Sequence, residues 1–99
     1  MSLQGKAVLV LGMGETGLSM VKWLLRQGAK VRAADSRQEP PTWKEMMEKF
    51  SEVQVFRGEF EAKILDDIEI IAISPGVPMA NPCVQQAIRL GIPVIGDLV

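Results

Sequence analysis

The sequence contains no histidine, and Cys83 is its single cysteine. Without histidine, the chain lacks the side chain that most often acts as a general base and as a metal ligand. One cysteine forms no disulfide within the chain, which agrees with a reducing compartment. We therefore expect no catalytic residue, no metal site and no cofactor in this chain.

Basic clusters, a signal peptide and long apolar runs are also missing. The net charge is −1 and no block of lysine and arginine occurs, so the sequence supplies no general attraction for nucleic acid or anionic lipid. The amino terminus lacks the charged and apolar regions of a signal peptide, and no apolar run approaches the ~20 residues of a membrane span. We expect a soluble, cytoplasmic protein with no nucleic-acid or membrane partner.

Strands alternate with helices along the chain. Short apolar runs that end at glycine or polar turns predict strands at residues 6–11, 30–34, 53–57, 68–74 and 93–95. Apolar residues at helical spacing predict helices at 16–27, 42–50 and 81–90, with a short helix near 60–65. This alternation requires right-handed crossovers and a parallel sheet. We expect an α/β fold, a Rossmann-like doubly wound five-stranded parallel sheet with strand order 3-2-1-4-5.

Two of the predicted helices carry start signals. Thr42 and Glu45 match a capping box, in which both side chains satisfy free amides of the first turn. Asn81 followed by Pro82 matches an N-cap with proline at the first helical position. We therefore expect side-chain caps at both sites.

A glycine motif, G-x-G-x-x-G, lies between the first strand and the first helix. Gly12 permits the tight turn, Gly14 lets a phosphate approach the backbone, and Gly17 allows close packing of helix on strand. The helix amino terminus offers unpaired amides to an anion, and Glu15 is expected to face solvent. A turn without ligand explains the same residues. The chain has no P-loop, because no glycine precedes the pair Gly5-Lys6 at the required spacing.

Polar residues follow the second strand. Asp35 lies where dinucleotide-binding folds place the acid that holds a ribose hydroxyl. It could equally accept a proton from an imide such as that of uracil. Arg37 could pair with a phosphate or lie against a base. A solvated turn at the strand end is the remaining alternative.

A stiff loop follows the fourth strand. The loop of residues 74–78, Ser74-Pro75-Gly76-Val77-Pro78, lies on the same carboxyl edge of the sheet as the glycine motif, where open α/β sheets bind ligands. The amides of this loop could complete a diphosphate pocket, and a purely structural turn is the alternative.

Four segments together resemble the Mur ligases of bacterial peptidoglycan synthesis, and among them the ligases that add D-glutamate. These segments are residues 5–19, 35–37 and 74–82 and the pair Gly96-Asp97, and the likeness covers the whole chain. The glycine segment alone is weakly specific, whereas the four in this order are strongly specific.

The resemblance implies that residues 1–99 are the N-terminal domain of a three-domain ligase whose central ATP-binding and C-terminal domains are not in this chain. This domain would hold the UDP moiety of UDP-N-acetylmuramoyl-L-alanine. The complete ligase would use ATP and Mg²⁺ to form an acyl phosphate, which the amine of D-glutamate attacks, releasing ADP and phosphate. The 99-residue chain would be inactive alone.

The resemblance also assigns residues. Glu15 and Thr16 would lie beside the uridine and the phosphates, residues 35–37 around the uracil, and Gly76 near the diphosphate. Ser36 replaces a threonine that is frequent in the family and keeps its hydroxyl, whereas Glu15 occupies a variable position. The predicted UDP-binding set is Gly12, Gly14, Glu15, Thr16, Gly17, Asp35, Ser36, Arg37, Ser74, Pro75 and Gly76.

Two other functions fit part of the same sequence. The glycines and Asp35 also suit an NAD-binding domain of a dehydrogenase, although residues 74–81 argue against it. A nucleotide-sensing regulatory module, in which binding shifts a conformation without a reaction, is the second alternative. Ligand preference distinguishes them: UDP for the ligase domain, NAD or NADH for the dehydrogenase, and NAD or ATP for the sensor.

Overall fold

The computed structural model describes residues 2–96, which form one five-stranded parallel sheet with helices on both faces. The strand order is β3-β2-β1-β4-β5, as predicted. The strands are β1 (Ala7–Leu11), β2 (Lys30–Asp35), β3 (Gln54–Arg57), β4 (Ile70–Ile73) and β5 (Val94–Ile95). The helices are α1 (Glu15–Arg26), α2 (Trp43–Lys49) and α3 (Pro82–Arg89), and a 3-10 turn spans Ala62–Leu65.

The central strand β1 divides the core in two. It pairs with β2 and β4, with Val8 opposite Val31 on one side and Ile70 on the other. Successive side chains of a strand point to opposite faces. Val8 and Val10 therefore pack with α1 and α2, whereas Leu9 and Leu11 pack with α3 and the 3-10 turn. Such burial on both faces explains the continuous apolar run in the sequence.

The helix α3 begins as the sequence predicts. The side chain of Asn81 accepts a hydrogen bond from the amide of Cys83 at 2.8 Å, and Pro82 occupies the first helical position. Cys83 is 2% exposed and belongs to the core on this face. Burial raises the pKa of its thiol to about 11, so the residue is a packing element.

The capping box predicted at Thr42 is wrong. The Thr42 side chain makes no cap bond to α2, and its hydroxyl instead donates to the carbonyl oxygen of Met13 at 2.8 Å. The Thr42 amide donates to the same oxygen at 3.1 Å. Glu45 pairs with Lys22 and Lys49, each at 3.8 Å. A buried carbonyl needs a donor, and this need competes with local capping.

Element ends differ slightly from expectation. The strand predicted at residues 68–74 is four residues long, Ile70–Ile73, because the amide of Ile68 bonds to the carbonyl of Leu65 in the preceding turn. Within residues 2–96, no helix is long and apolar enough to cross a membrane.

Candidate functional site

Three loops meet around one cavity at the carboxyl edge of the sheet. The cavity measures about 390 Å³ and lies beyond the ends of β1, β2 and β4. The structure brings together every predicted site residue except Gly17. Those lining the cavity are Gly12, Gly14, Glu15, Thr16, Asp35, Ser36, Arg37, Ser74, Pro75 and Gly76.

The three glycines of the first loop have different physical tasks. Gly12 has φ +102°, a conformation that favours glycine. Gly17 lies behind the cavity, where an added Cβ would overlap the carbonyl oxygen of Gly12. Nothing lies within 4 Å of the Cβ that an alanine at Gly14 would carry. Gly12 and Gly17 therefore build the turn, whereas Gly14 leaves space inside the cavity.

The glycine loop is tied to its neighbours on several sides. The amide of Gly12 donates to the carbonyl of Ala34 at 2.8 Å. The amide of Met13 donates to Oδ2 of Asp35 at 2.8 Å, and Thr42 donates to the carbonyl of Met13 from its hydroxyl and its amide. The Met13 side chain is fully buried in the core. The loop is thus fixed before any ligand arrives.

Asp35 and Arg37 form a bidentate ion pair beside this loop. Nε of Arg37 lies 3.0 Å from Oδ1 of Asp35, and Nη2 lies 2.7 Å from Oδ2. The Asp35 side chain is 5% exposed and that of Arg37 is 56% exposed. Burial alone would raise the pKa of Asp35, but hydrogen bonds from Arg37 and Met13 outweigh it and lower the pKa. The carboxylate is therefore ionised at neutral pH.

The ion pair of Asp35 and Arg37 makes the free energy of unfolding depend on pH under acidic conditions. Because folding lowers the pKa of Asp35, ionised Asp35 stabilises the fold above its unfolded pKa, and this contribution is lost as the pH falls through the folded pKa. We expect the loss to begin as the pH falls towards the unfolded pKa of about 4 and to continue below it. Urea denaturation of the unaltered chain and of Asp35→Asn at pH 7 and pH 3 measures it. The difference in free energy of unfolding between the two chains should be smaller at pH 3 than at pH 7. An equal difference at both pH values would contradict the expectation.

The third loop is held against the first. The amide of Ser74 donates to the carbonyl of Leu11 at 3.0 Å, and the Ser74 hydroxyl lies 3.3 Å from the carbonyl oxygen of Gly12. The Ser74 carbonyl accepts from the amide of Val77 at 3.1 Å, which closes the turn. Gly76 is exposed, and a Cβ placed on it would meet nothing within 4 Å. The loop therefore leaves open space beside the cavity.

Comparison with known families identifies the chain. Residues 6–96 match the family model described as "Mur ligase MurD-like, N-terminal domain". This chain belongs to that family. Over 98 residues it is 53% identical to the UDP-N-acetylmuramoylalanine--D-glutamate ligase of Nitrosospira multiformis, and it is 47% identical to that of Methylobacillus flagellatus. Each match covers 99% of this chain but only 21% and 22% of the respective relative.

The fold of the MurD-like domain also occurs outside its family. The solved structure of SirC, a precorrin-2 dehydrogenase, superposes with a TM-score of 0.64. The match covers 95% of this chain and 45% of that chain, at 19% sequence identity. At this identity the likeness concerns the fold alone.

Sequence patterns missed several contributors to the site of the MurD-like domain. Leu11 and Asn81 line the cavity, as do Val77 and Pro78, which belong to the loop that the sequence placed at this edge. Met13 and Thr42 hold the glycine loop from outside the cavity. Asn81 was identified only as a helix cap. The one signal for Met13 is its apolar side chain between two glycines, since a buried side chain there anchors the turn.

The chemical character of the cavity follows from these contacts. Its charged lining residues are Glu15, Asp35 and Arg37, and Arg37 neutralises Asp35. Glu15 and Thr16 are exposed in the first turn of α1, as expected for Glu15. The amino end of α1 has no side-chain cap, so its first amides remain available to an anion. The cavity is suited to an anionic ligand held mainly by backbone amides.

Proposed function

We propose that this chain binds the UDP moiety of UDP-N-acetylmuramoyl-L-alanine in the cavity at the carboxyl edge of its sheet. The observation that carries the proposal is the open space at Gly14, the N-cap of α1 without a side-chain cap bond, and at Gly76 of the third loop, both of which line the cavity. A phosphate can approach both backbones without meeting a side chain. The name of the relatives, UDP-N-acetylmuramoylalanine--D-glutamate ligase, supports UDP as the nucleotide.

In this proposal the diphosphate lies between the glycine loop and the third loop. Amides at the start of α1 and near Gly76 would donate to its oxygens, with the Thr16 hydroxyl nearby. The uracil would lie towards Ser36 and Arg37, whose exposed side chains line the other end. Glu15 remains at the rim, where the dipole of α1 stabilises its carboxylate without drawing it inward.

We propose further that residues 1–99 form the N-terminal domain of a three-domain, cytoplasmic ligase that adds D-glutamate in peptidoglycan synthesis. The chain spans about a fifth of the length of the curated relatives it matches. We place the ATP and Mg²⁺ sites, and the chemistry that forms the amide bond and ADP, in the part of those relatives outside this chain. The chain's own glycine loop is not a P-loop for ATP, since Leu18 follows Gly17 where a P-loop has lysine. Within residues 2–96 no three acidic or cysteine side chains cluster as a metal site. The 99-residue chain alone is expected to be inactive.

Ligand preference tests the proposal. Titration calorimetry should give UDP an affinity at least about tenfold above that of NAD⁺ or ATP, because the proposed site provides for one diphosphate and one small base. Uridine, which lacks the diphosphate, is the matched control and should bind far more weakly. Tighter binding of NAD⁺ would instead favour a dehydrogenase domain, and tighter binding of ATP or NAD⁺ with a change of conformation would favour a sensor. Absence of UDP binding at millimolar concentration would contradict the proposal.

A further inference from the structure

The loop after β4 lies in the longest stretch of the sequence that has no charged side chain. No aspartate, glutamate, lysine or arginine occurs between Glu69 and Arg89. Within this stretch, residues 75–80 are Pro-Gly-Val-Pro-Met-Ala, and all of them except Val77 are exposed. The loop therefore presents apolar groups to solvent without a polar side chain among them. Continuous exposed apolar surface of this kind marks sites of protein contact or ligand binding.

The outer end of this loop is not accounted for by the cavity. Residues 78–80 form an apolar tip, in which the Met79 side chain is 54% exposed. Pro78 lines the cavity, whereas Met79 and Ala80 are not among the cavity residues. Methionine is enriched in protein–protein contacts, and charged residues are depleted at their centres. The composition of the tip is thus that of a protein contact.

The backbone of the apolar tip is held in place by the start of α3. The amide of Asn81 donates to the carbonyl oxygen of Pro78 at 3.0 Å. The side-chain amide of Gln85 donates to the carbonyl oxygen of Met79 at 2.7 Å. The ring of Pro78 fixes a further backbone angle. A preformed apolar surface loses little conformational entropy when another surface covers it, which favours binding.

The topology of the sheet indicates what covers the tip. β5 runs parallel to β4, with Ile95 opposite Ala72. Gly96 therefore leaves the sheet beside Ile73, which directly precedes the third loop, and neighbouring strands lie about 4.8 Å apart. The matching family model is that of an N-terminal domain, and the chain spans only 21% and 22% of two relatives. The remainder of such a relative therefore begins beside the third loop.

We propose that the apolar tip docks on the domain that follows this one in the complete ligase. The proposal rests on the N-terminal position that we propose for this chain in a longer ligase. The partner surface is apolar, because a charged group placed against Met79 would lose water without gaining a partner. Since Pro78 belongs both to the tip and to the cavity lining, the docked domain lies beside the cavity.

Thiol labelling at the tip tests the docking. Met79→Cys is compared with Met47→Cys, a matched control that is 52% exposed on α2, the helix packed against the opposite edge strand β3. Alkylation by iodoacetamide is followed by peptide mass spectrometry in the 99-residue chain and in the complete ligase, both without ligand. Labelling at position 79 should be at least about tenfold slower in the complete ligase, because burial of a methionine-sized side chain favours the covered state by that factor. Labelling at position 47 should change less than about twofold.

Other occupants of the tip give different results. Equal labelling rates at position 79 in the two proteins would overturn the proposal, and so would equal slowing at positions 79 and 47. Slowing that grows with the concentration of the 99-residue chain would assign the tip to a second copy. Slowing of that chain by UDP alone would assign the tip to the ligand. Failure of UDP to bind would contradict the proposed function but leave the ligand-free comparison intact.

A charge at the tip provides a second test. In the complete ligase, the amides of residues 76–80 should exchange with deuterium about tenfold more slowly than in the 99-residue chain. Met79→Glu should abolish this protection, because its carboxylate would be buried without a partner in the docked state. Met47→Glu, the matched control, should leave the protection unchanged. Full protection in Met79→Glu would overturn the proposal.

Discussion

Replacing Gly17 by alanine should lower the free energy of unfolding by about 3 kcal/mol or more, because the new Cβ would overlap the carbonyl oxygen of Gly12. That oxygen belongs to the backbone of the glycine loop and has little room to retreat. The loop is held by Ala34, Asp35 and Thr42. Helix α1 must therefore move away from β1, and core contacts of the helix are lost. Urea denaturation followed by circular dichroism measures the change.

Gly14→Ala is the matched control for this prediction. It makes the same chemical change two positions from Gly12, where nothing lies within 4 Å of the new Cβ. Gly14 has φ −92°, which alanine adopts readily. The change at the helix N-cap should cost less than about 1 kcal/mol. Equal destabilisation by the two substitutions would contradict the different tasks assigned to these glycines.

The same Gly14→Ala chain should bind UDP at least about tenfold more weakly than the unaltered chain, while remaining folded. Gly14 lines the cavity, and an added Cβ would occupy open space beside the backbone that the proposed diphosphate approaches. The lower affinity would come from displaced contacts to the phosphate. The fold should be unaffected, because nothing packs against the space that the new methyl group fills. Titration calorimetry at a temperature well below the unfolding midpoint measures the effect.

Gly96→Ala controls for a general effect of the added methyl group. Gly96 is exposed, an added Cβ there meets nothing within 4 Å, and the residue does not line the cavity. Its UDP affinity should match that of the unaltered chain. Unchanged affinity in Gly14→Ala would mean that the ligand does not approach this backbone, and the proposed position of the diphosphate would be wrong.

The sequence predicted the fold well because its strongest signals are local. The apolar runs around Val10 and Ile71 could only be strands covered on both faces, and glycine or proline marked most of the element ends. Short alternating elements leave few arrangements for a parallel sheet, so the strand order followed from general rules of chain connection. The Asn81 cap was predicted for the same reason, since it depends on residues two positions apart.

Long-range hydrogen bonds explain what the sequence did not predict. Thr42 matches a capping box, but its hydroxyl bonds to Met13, which is 29 positions away in the chain. Asp35 matches a ligand-binding acid, and the pattern did not show that its carboxylate would also bond to Arg37 and to Met13, which is 22 positions away. A local pattern identifies a side chain that needs a partner. It does not identify which partner the folded chain brings nearest.

The glycine motif was predictable in its position and in the tasks of its glycines, but not in its ligand. Its position between β1 and α1 was evident from the sequence, and so were the separate tasks of Gly12 and Gly17. The motif is shared by proteins that bind different nucleotides, so its geometry alone does not select a ligand. In the proposed function, selection comes from Ser36, Arg37 and the loop at Gly76, which line the same cavity.

An amide-resolved NMR titration of this chain with UDP tests the central claim most directly. The account predicts that the amide signals of Gly14, Thr16, Ser36 and Gly76, which belong to the three loops around the cavity, shift together along one binding curve. The amide of Gly91, which is not among the cavity residues, should stay in place. Shifts of these four signals with NAD⁺ and none with UDP would contradict the account.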